Sequence, residues 1–297
     1  MACRLDFTTL DVFTTTRFLG NPLAIVRVPK DLSGSLTQDD KQTIAREFNL
    51  SETVFLHEGN VDSPVKIDIF TTDAELPFAG HPTVGSGWYL LSRNPSKETI
   101  TLQTKAGTIP VVRGTGGKVY LQVPVNFKIH APRTHPLIKS VQSKLIDQDF
   151  VNGIGGAEPL VSIVKGMTFF LVQVKSEEAL ARYHAYPENV AVPEVGDWAA
   201  FVGIYVFYER EDGVVRTRMF AASVEDPATG SAASTLGGYL ATKRGEGTHK
   251  INILQGVEMG RKSDIELVVE VGKDNEVLKV QLGGGAVEVM EGTVSST

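Results

Sequence analysis

The sequence predicts an α+β protein of two pseudo-symmetric domains, each a curved, mostly antiparallel sheet wrapped around one central helix. Three observations carry that prediction: a long-range internal repeat, a helix in each copy that is apolar or small on nearly every face, and short strand patterns over most of the remaining chain. The repeat sets Phe70-Thr-Thr-Asp-Ala-Glu75-Leu-Pro77-Phe-Ala-Gly80 against Phe220-Ala-Ala-Ser-Val-Glu225-Asp-Pro227-Ala-Thr-Gly230 without a gap, and continues through Gly87/Gly237, Tyr89/Tyr239 and Leu90/Leu240. Seven of 21 positions are identical, whereas unrelated segments of ordinary composition share about one or two. The match marks an ancient duplication.

Each copy has the same local grammar. Lys66 to Phe70 and Val215 to Phe220 read as strands with partial alternation, and each runs into a polar turn carrying Pro and then Gly. A helix follows in each, from about Pro82 to Ser92 and from about Ser231 to Lys243. Val84, Leu90 and Leu91 in the first and Ala232, Leu236 and Leu240 in the second alternate with glycines and other small residues, and a helix without a polar face is a buried one. Each internal glycine costs about 1 kcal/mol of helix propensity relative to Ala, a loss offset where strands wrap the helix closely.

Elsewhere, Val, Ile, Thr and aromatic residues predict strands at Leu5 to Phe13, Leu23 to Val28, Thr53 to His57, Thr99 to Thr104, Thr108 to Arg113 and Lys118 to Val123. In the second half they predict strands at Leu160 to Val164, Thr168 to Val174, Ala200 to Glu209, Lys250 to Gln255, Ile265 to Val271 and Val277 to Leu282. Thr37 to Phe48 reads as a helix, with Thr37-Gln-Asp-Asp40 as an acidic capping box and Ile44 and Phe48 one turn apart. Ser176 to Tyr183 is a shorter helix candidate. Gly114-Thr-Gly-Gly117 is the most linker-like stretch, and a strand from Ala286 to Met290 can return to the first domain. The expected domains are therefore residues 1–117 with 286–297, and residues 118–285.

Composition narrows the function. The 297 residues are 42% hydrophobic and 22% charged, as in ordinary globular proteins, and 29 basic against 35 acidic side chains leave a net charge of −6. No Lys/Arg cluster is present to neutralise a phosphate backbone, so nucleic acid is not an expected partner. No apolar run is long enough for a membrane helix, and Met1-Ala2-Cys3-Arg4-Leu5-Asp6 lacks the apolar stretch of a secretory leader. A cytoplasmic protein is expected. Cys3 is the only cysteine, which excludes an internal disulfide, a cysteine-based zinc site and any chemistry needing two thiols in one chain.

The turns that open the two central helices are the best site candidates, because helix starts offer unpaired N–H groups and partial positive charge. If the two copies face each other, Gly80-His81 and Gly230-Ser231 would converge and could hold a carboxylate. Read from the residues alone, both glycines could equally make tight turns and nothing more. His81 has an imidazole suited to acid-base work, or caps the turn. Asp226 stands where the first copy has Leu76, as an acid-base group or as a helix cap. Glu52 lies beside Leu50, Val54 and Phe55; held among such residues it would have a raised pKa and could shuttle a proton, whereas a Glu at a turn is more commonly solvated.

Other signatures are absent. The chain has no Walker loop, no Gly-x-Gly-x-x-Gly after a strand, no His-Glu-x-x-His and no Gly-x-Ser-x-Gly. No cofactor or metal is called for. His130 and His135 bracket Ala131-Pro132-Arg133 without a metal-ligand spacing and read as loop residues.

Asp11-Val-Phe13 with Gly20-Asn21-Pro22, Leu50-Ser51-Glu52-Thr53, Pro77-Phe-Ala-Gly-His81-Pro-Thr-Val-Gly85 and Glu225-Asp-Pro-Ala-Thr-Gly-Ser231 together resemble the PhzF-like phenazine-biosynthesis proteins. The resemblance implies a fold similar to diaminopimelate epimerase and a homodimer. In the epimerase relatives a Cys precedes the Gly of each turn; here those places hold Ala79 and Thr229, so two-thiol racemisation is not expected. By resemblance, Glu52 is the proton shuttle, with His81 and Asp226 as supporting acid-base or positioning groups. Ser51, Gly80, Gly230 and Ser231 hold the substrate, and Asn21 orients the site. The implied reaction is isomerisation of a small carboxylated, dihydroanthranilate-like metabolite without a cofactor. The alternative is a small-molecule-binding or regulatory protein that keeps the site without turnover, and a Ser231-His81-Asp226 hydrolase is a distant third.

Overall fold

Two stretches of β-branched and aromatic sequence fold into the same succession of strands. The computed structural model describes residues 3–32 and 34–296, so Met1, Ala2, Ser33 and Thr297, which fall within the expected leader reading and the expected domain limits, lie outside the described residues. The chain divides into two compact units, Met1–Gln122 with Gly283–Thr297, and Val123–Leu282.

The first unit contains β1 (Arg4–Val12), β2 (Asn21–Val28), α1 (Gln38–Phe48), β3 (Thr53–His57), β4 (Val65–Phe70), β5 (Glu75–Leu76), α2 (Gly80–Arg93), β6 (Thr99–Thr104), β7 (Gly107–Arg113), β8 (Val119–Gln122) and the last strand of the chain, Ala286–Ser295. The last strand pairs antiparallel with β1, β1 antiparallel with β2, β2 parallel with β3, and β3 antiparallel with β4. The stub β5 folds back on β4, which pairs parallel with β6; antiparallel β7 and β8 follow. Helix α1 covers one face, where Ile44 and Ala45 join Leu5, Val26, Phe55 and Phe70 in a buried cluster. Helix α2 packs against β1, β2, β3, β6, β7 and β8. Strand β3 touches both helices and is buried along its whole length.

The second unit contains β9 (Lys128–Arg133), α3 (Pro136–Lys139), β10 (Glu158–Val164), β11 (Met167–Gln173), α4 (Glu177–Arg182), β12 (Phe201–Glu209), β13 (Val214–Ala221), β14 (Val224–Asp226), α5 (Gly230–Arg244), β15 (Gly247–Gln255), β16 (Ser263–Val271) and β17 (Val277–Gly284), whose last residues reach the first unit. Its pairings repeat the first series. The order runs antiparallel β9–β10–β11, parallel β11–β12, antiparallel β12–β13 with β14 as the stub, parallel β13–β15 and antiparallel β15–β16. Helix α4 occupies the place of α1, and α5 that of α2. The register is conserved through the stub, where Leu76 faces Ile69 and Asp226 faces Met219.

The central helices are buried as their composition predicts: eleven of the 14 residues of α2 and ten of the 15 of α5. Their glycines are points of contact with the sheets. A Cβ on Gly85 would lie 2.5 Å from Leu23 Cδ2, one on Gly87 2.6 Å from Val111 Cγ1, and one on Gly237 2.5 Å from Leu267 Cδ1. The Thr37 capping box forms, with Asp40 N donating to Thr37 Oγ1 at 3.1 Å and Thr37 N donating to Asp40 Oδ2 at 2.9 Å.

Two expectations need correction. Gly114 to Gly117 turns β7 into β8 inside the first unit and is not the connection between units, because β8 continues the first sheet as far as Gln122. His130 is not a loop residue, whereas His135 does lie in the connection between β9 and α3, as the N-cap of that helix. His130 lies on β9 with Nε2 2.8 Å from Ser162 Oγ, and the His135 ring accepts from Leu137 N at the start of α3. Pro132 interrupts the alternation that would have marked β9.

Candidate active site

Glu52 enters the site through the end of α1. Asn49 closes that helix in the left-handed conformation (φ 50°), a position Asn tolerates better than most residues, and the chain turns through Leu50 and Ser51 into β3. Parallel pairing of Ala24 with Thr53 sets the start of β3 beside the start of β2. Ser51 Oγ therefore reaches Asn21 Oδ1 at 3.3 Å, and Asn21 is buried. Gly20 makes the approach possible: its φ is +70°, and a Cβ there would lie 2.3 Å from the Val12 carbonyl oxygen.

His81 comes from the first turn of α2. Its Nδ1 lies 2.9 Å from Glu52 Oε2; an ionised carboxylate only accepts, so Nδ1 carries the shared proton. The ring is 3% exposed, and its Nε2 is buried without a hydrogen-bond partner. Glu52 keeps an 18% exposed side chain. The ring is thus tied to Glu52 through Nδ1, while its other nitrogen is buried and unpartnered.

The expected raised pKa of Glu52 is overturned. Burial does push it up, but the His81 hydrogen bond, the His81 charge and the Ser51 hydrogen bond together hold the carboxyl below the ordinary range. The apolar neighbours along the chain are real, yet the imidazole across the turn outweighs them.

The capping alternatives for His81 and Asp226 also fall. Ala79 is the N-cap of α2 and Thr229 that of α5, and neither helix start receives a side-chain cap. Both first turns keep backbone N–H groups facing outward from the helix, with Gly80 and Gly230 as the first helical residues. Asp226 instead accepts a hydrogen bond from the Thr229 hydroxyl. Ser231 sits one residue into α5, its carbonyl accepting from Thr235 Oγ1 at 2.8 Å. Within the first unit the structure joins Asn21, Ser51, Glu52 and His81 next to Gly80; within the second it joins Asp226, Gly230 and Ser231 in one turn. Among the described residues no group of three or more His, Cys, Asp or Glu is placed to hold a metal ion.

Residues 10–292 match the phenazine biosynthesis-like protein family, PhzC-PhzF. The chain belongs to this family. Among its PhzC-PhzF relatives is the trans-2,3-dihydro-3-hydroxyanthranilate isomerase of Pseudomonas aeruginosa, 33% identical over 96% of this chain and 98% of that protein. The crystal structure of a PhzF-family phenazine biosynthesis protein from Bacillus anthracis is similar with a TM-score of 0.79 at 25% identity, covering 98% of this chain and 99% of that one. A hydroxyproline epimerase from Agrobacterium vitis shares the fold alone, with a TM-score of 0.59 at 13% identity over 98% and 92% of the two chains. An isomerase role for this PhzC-PhzF protein follows from its relatives. No helix among the described residues is long and apolar enough to cross a membrane.

The sequence reading missed what lies under Asp226 in this family member. Gln255 and Tyr205 are fully buried and hydrogen-bonded to each other, and Gln255 is also hydrogen-bonded to the Asp226 turn. A signal was present: Ile251, Ile253 and Gln255 alternate onto one buried face of β15, and a polar residue at a core-facing position requires partners.

Proposed function

We propose that this PhzC-PhzF protein moves a carbon-bound proton within a small carboxylated, dihydroanthranilate-like metabolite, without a cofactor. The observation that carries the reading is the Glu52–His81 pair, with the carboxyl held below its ordinary range and the second imidazole nitrogen buried and unpartnered. A carboxylate already ionised at neutral pH is ready to accept a proton. Glu52 takes the proton from one substrate carbon, and the electron pair of that C–H bond moves into the conjugated system. The neutral acid then delivers the same proton to another carbon, leaving an enol that becomes a ketone. Substrate and product differ only in where hydrogen and double bonds lie, so the balance needs no further reactant. Holding both carbons within reach of one carboxyl supplies the rate advantage of orientation, and a positioned acid-base group contributes about 10²- to 10⁴-fold.

His81 holds the carboxylate in place during transfer. The proposal assigns substrate contacts to Asn21, Ser51, Gly80, Gly230 and Ser231, and an acid-base or positioning role to Asp226. It is supported by the uncapped first turns of α2 and α5, which suit an anionic group. Cytoplasmic action is part of the reading.

The test is incubation with trans-2,3-dihydro-3-hydroxyanthranilate in heavy water, followed by NMR. The expected result is a rearranged proton or carbon-bound deuterium with the wild type and neither with Glu52→Gln. Turnover that survives Glu52→Gln would overturn the mechanism. A shift in melting temperature without any rearrangement would instead identify a binding protein.

A further inference from the structure

The polar network under Asp226 has a single direction. Tyr205 Oη lies 2.9 Å from Gln255 Oε1, and an amide oxygen only accepts, so the phenol donates to it. Burial pushes the Tyr205 phenol well above its ordinary range, which keeps it a donor. The same Oε1 accepts from Thr229 N at 3.3 Å. At the other end of the amide, Gln255 Nε2 donates to the Asp226 carbonyl oxygen at 2.8 Å and to Thr229 Oγ1 at 3.1 Å. With its oxygen occupied by that donor, the Thr229 hydroxyl turns its own proton to Asp226 Oδ2. Two donors on one end of the amide and two acceptors on the other fix its orientation, and through it the rotamer of Thr229.

The first copy of the repeat has nothing comparable to hold. Leu76 and Ala79 stand at the positions of Asp226 and Thr229, and neither side chain carries a polar atom. Burying an amide is costly unless every group is satisfied. The second copy keeps one, fully buried, beneath the turn where the copies have diverged.

We propose that Gln255 and Thr229 are positioning residues that fix the Asp226 carboxylate in the orientation it uses while the substrate proton is moved. The inference rests on the functional reading above, which places Asp226 in the reaction. Thr229→Val keeps the shape of the side chain and removes the hydroxyl; Thr229→Ser keeps the hydroxyl. With trans-2,3-dihydro-3-hydroxyanthranilate as the probe, Thr229→Val and Gln255→Leu are expected to lower kcat roughly 10²-fold, the scale of a catalytic group displaced by about 1 Å. KM should change little, and Thr229→Ser should restore most of the rate. An unchanged kcat in Thr229→Val overturns the proposal.

A second measurement needs no substrate. Unfolding midpoints in urea are compared for wild type, Thr229→Val, Asp226→Asn and the double variant. Non-additive shifts are expected because the two side chains share one hydrogen bond; additive shifts overturn the proposal. If the wild type fails to rearrange the probe, the functional reading is what fails, and this cycle alone decides whether Thr229 and Asp226 act as a unit.

Discussion

Asp68 and Arg218 occupy the same place in the two copies and carry opposite charge. Asp68 stands on β4 opposite Phe55 of β3, and Arg218 on β13 opposite Val206 of β12. Each ties the sheet to the helix that covers it. Asp68 Oδ2 accepts from Lys41 Nζ of α1 at 2.5 Å and lies 2.7 Å from His57 Nε2. Arg218 donates to the carbonyl oxygens of Leu180 at 3.0 Å and Tyr183 at 2.6 Å at the end of α4, and pairs through two bonds with Glu225. Duplication kept the joint and reversed its chemistry.

Breaking that joint should be expensive. Asp68 and Lys41 side chains are 6% and 7% exposed, and removing one partner of a buried pair typically costs about 3–5 kcal/mol because the other charge is left unpaired. Asp68→Ala is expected to lose stability on that scale in urea unfolding, and Asp68→Leu combined with Lys41→Met much less. Burial pushes the Asp68 carboxyl up, but hydrogen bonds from His57 and Lys41 and their charges bring it far below its ordinary value of 3.8. Its contribution is therefore present in full above the unfolded value and is lost as pH falls through the folded one. The gap between wild type and Asp68→Ala should narrow only below about pH 3.8.

Glycine in α2 is a packing requirement. Ala has the better helix propensity by about 1 kcal/mol, but a Cβ on Gly85 meets Leu23 Cδ2 at 2.5 Å and Val12 Cγ2 at 2.9 Å. Overpacking of this kind costs about 1–3 kcal/mol. Gly85→Ala should thus destabilise despite its propensity, and a urea midpoint equal to or above wild type would show that the sheet can yield.

The capping box at Thr37 gives a smaller effect with a definite sign. Thr37→Ala removes the acceptor for Asp40 N and leaves the first turn of α1 with one more unsatisfied donor. A loss of about 1 kcal/mol is expected, read as a lower urea midpoint with an unchanged slope.

These residues show what a sequence exposes and what it hides. The repeat, the buried glycine helices and the capping box were legible because each depends on neighbours within one turn or on a period within one element. Strands β5 and β14 have two and three residues, too short for any period. The direction of the Glu52 shift was hidden for another reason. Leu50, Val54 and Phe55 are visible along the chain, while the imidazole that decides the matter comes from a different helix. Gln255 lay in between: the alternation of β15 puts it on the buried face with Ile251 and Ile253, but its partners come from β12 and the Asp226 turn.

The Glu52–His81 pair predicts a pH profile whose acid limb moves in a known direction. Glu52 must be ionised to take the substrate proton, so activity falls as pH drops through its pKa in the free enzyme. In the wild type that limb lies below the ordinary carboxylate value of 4.5. Replacing His81 with Asn removes both the charge and the ring hydrogen bond that lower it, while the burial that raises it remains. The acid limb of kcat/KM for the His81→Asn variant should therefore move to higher pH, towards neutrality, along with a fall in kcat. A limb that stays in place would mean that some other group titrates there, and the carboxylate of Glu52 would lose its part in proton transfer.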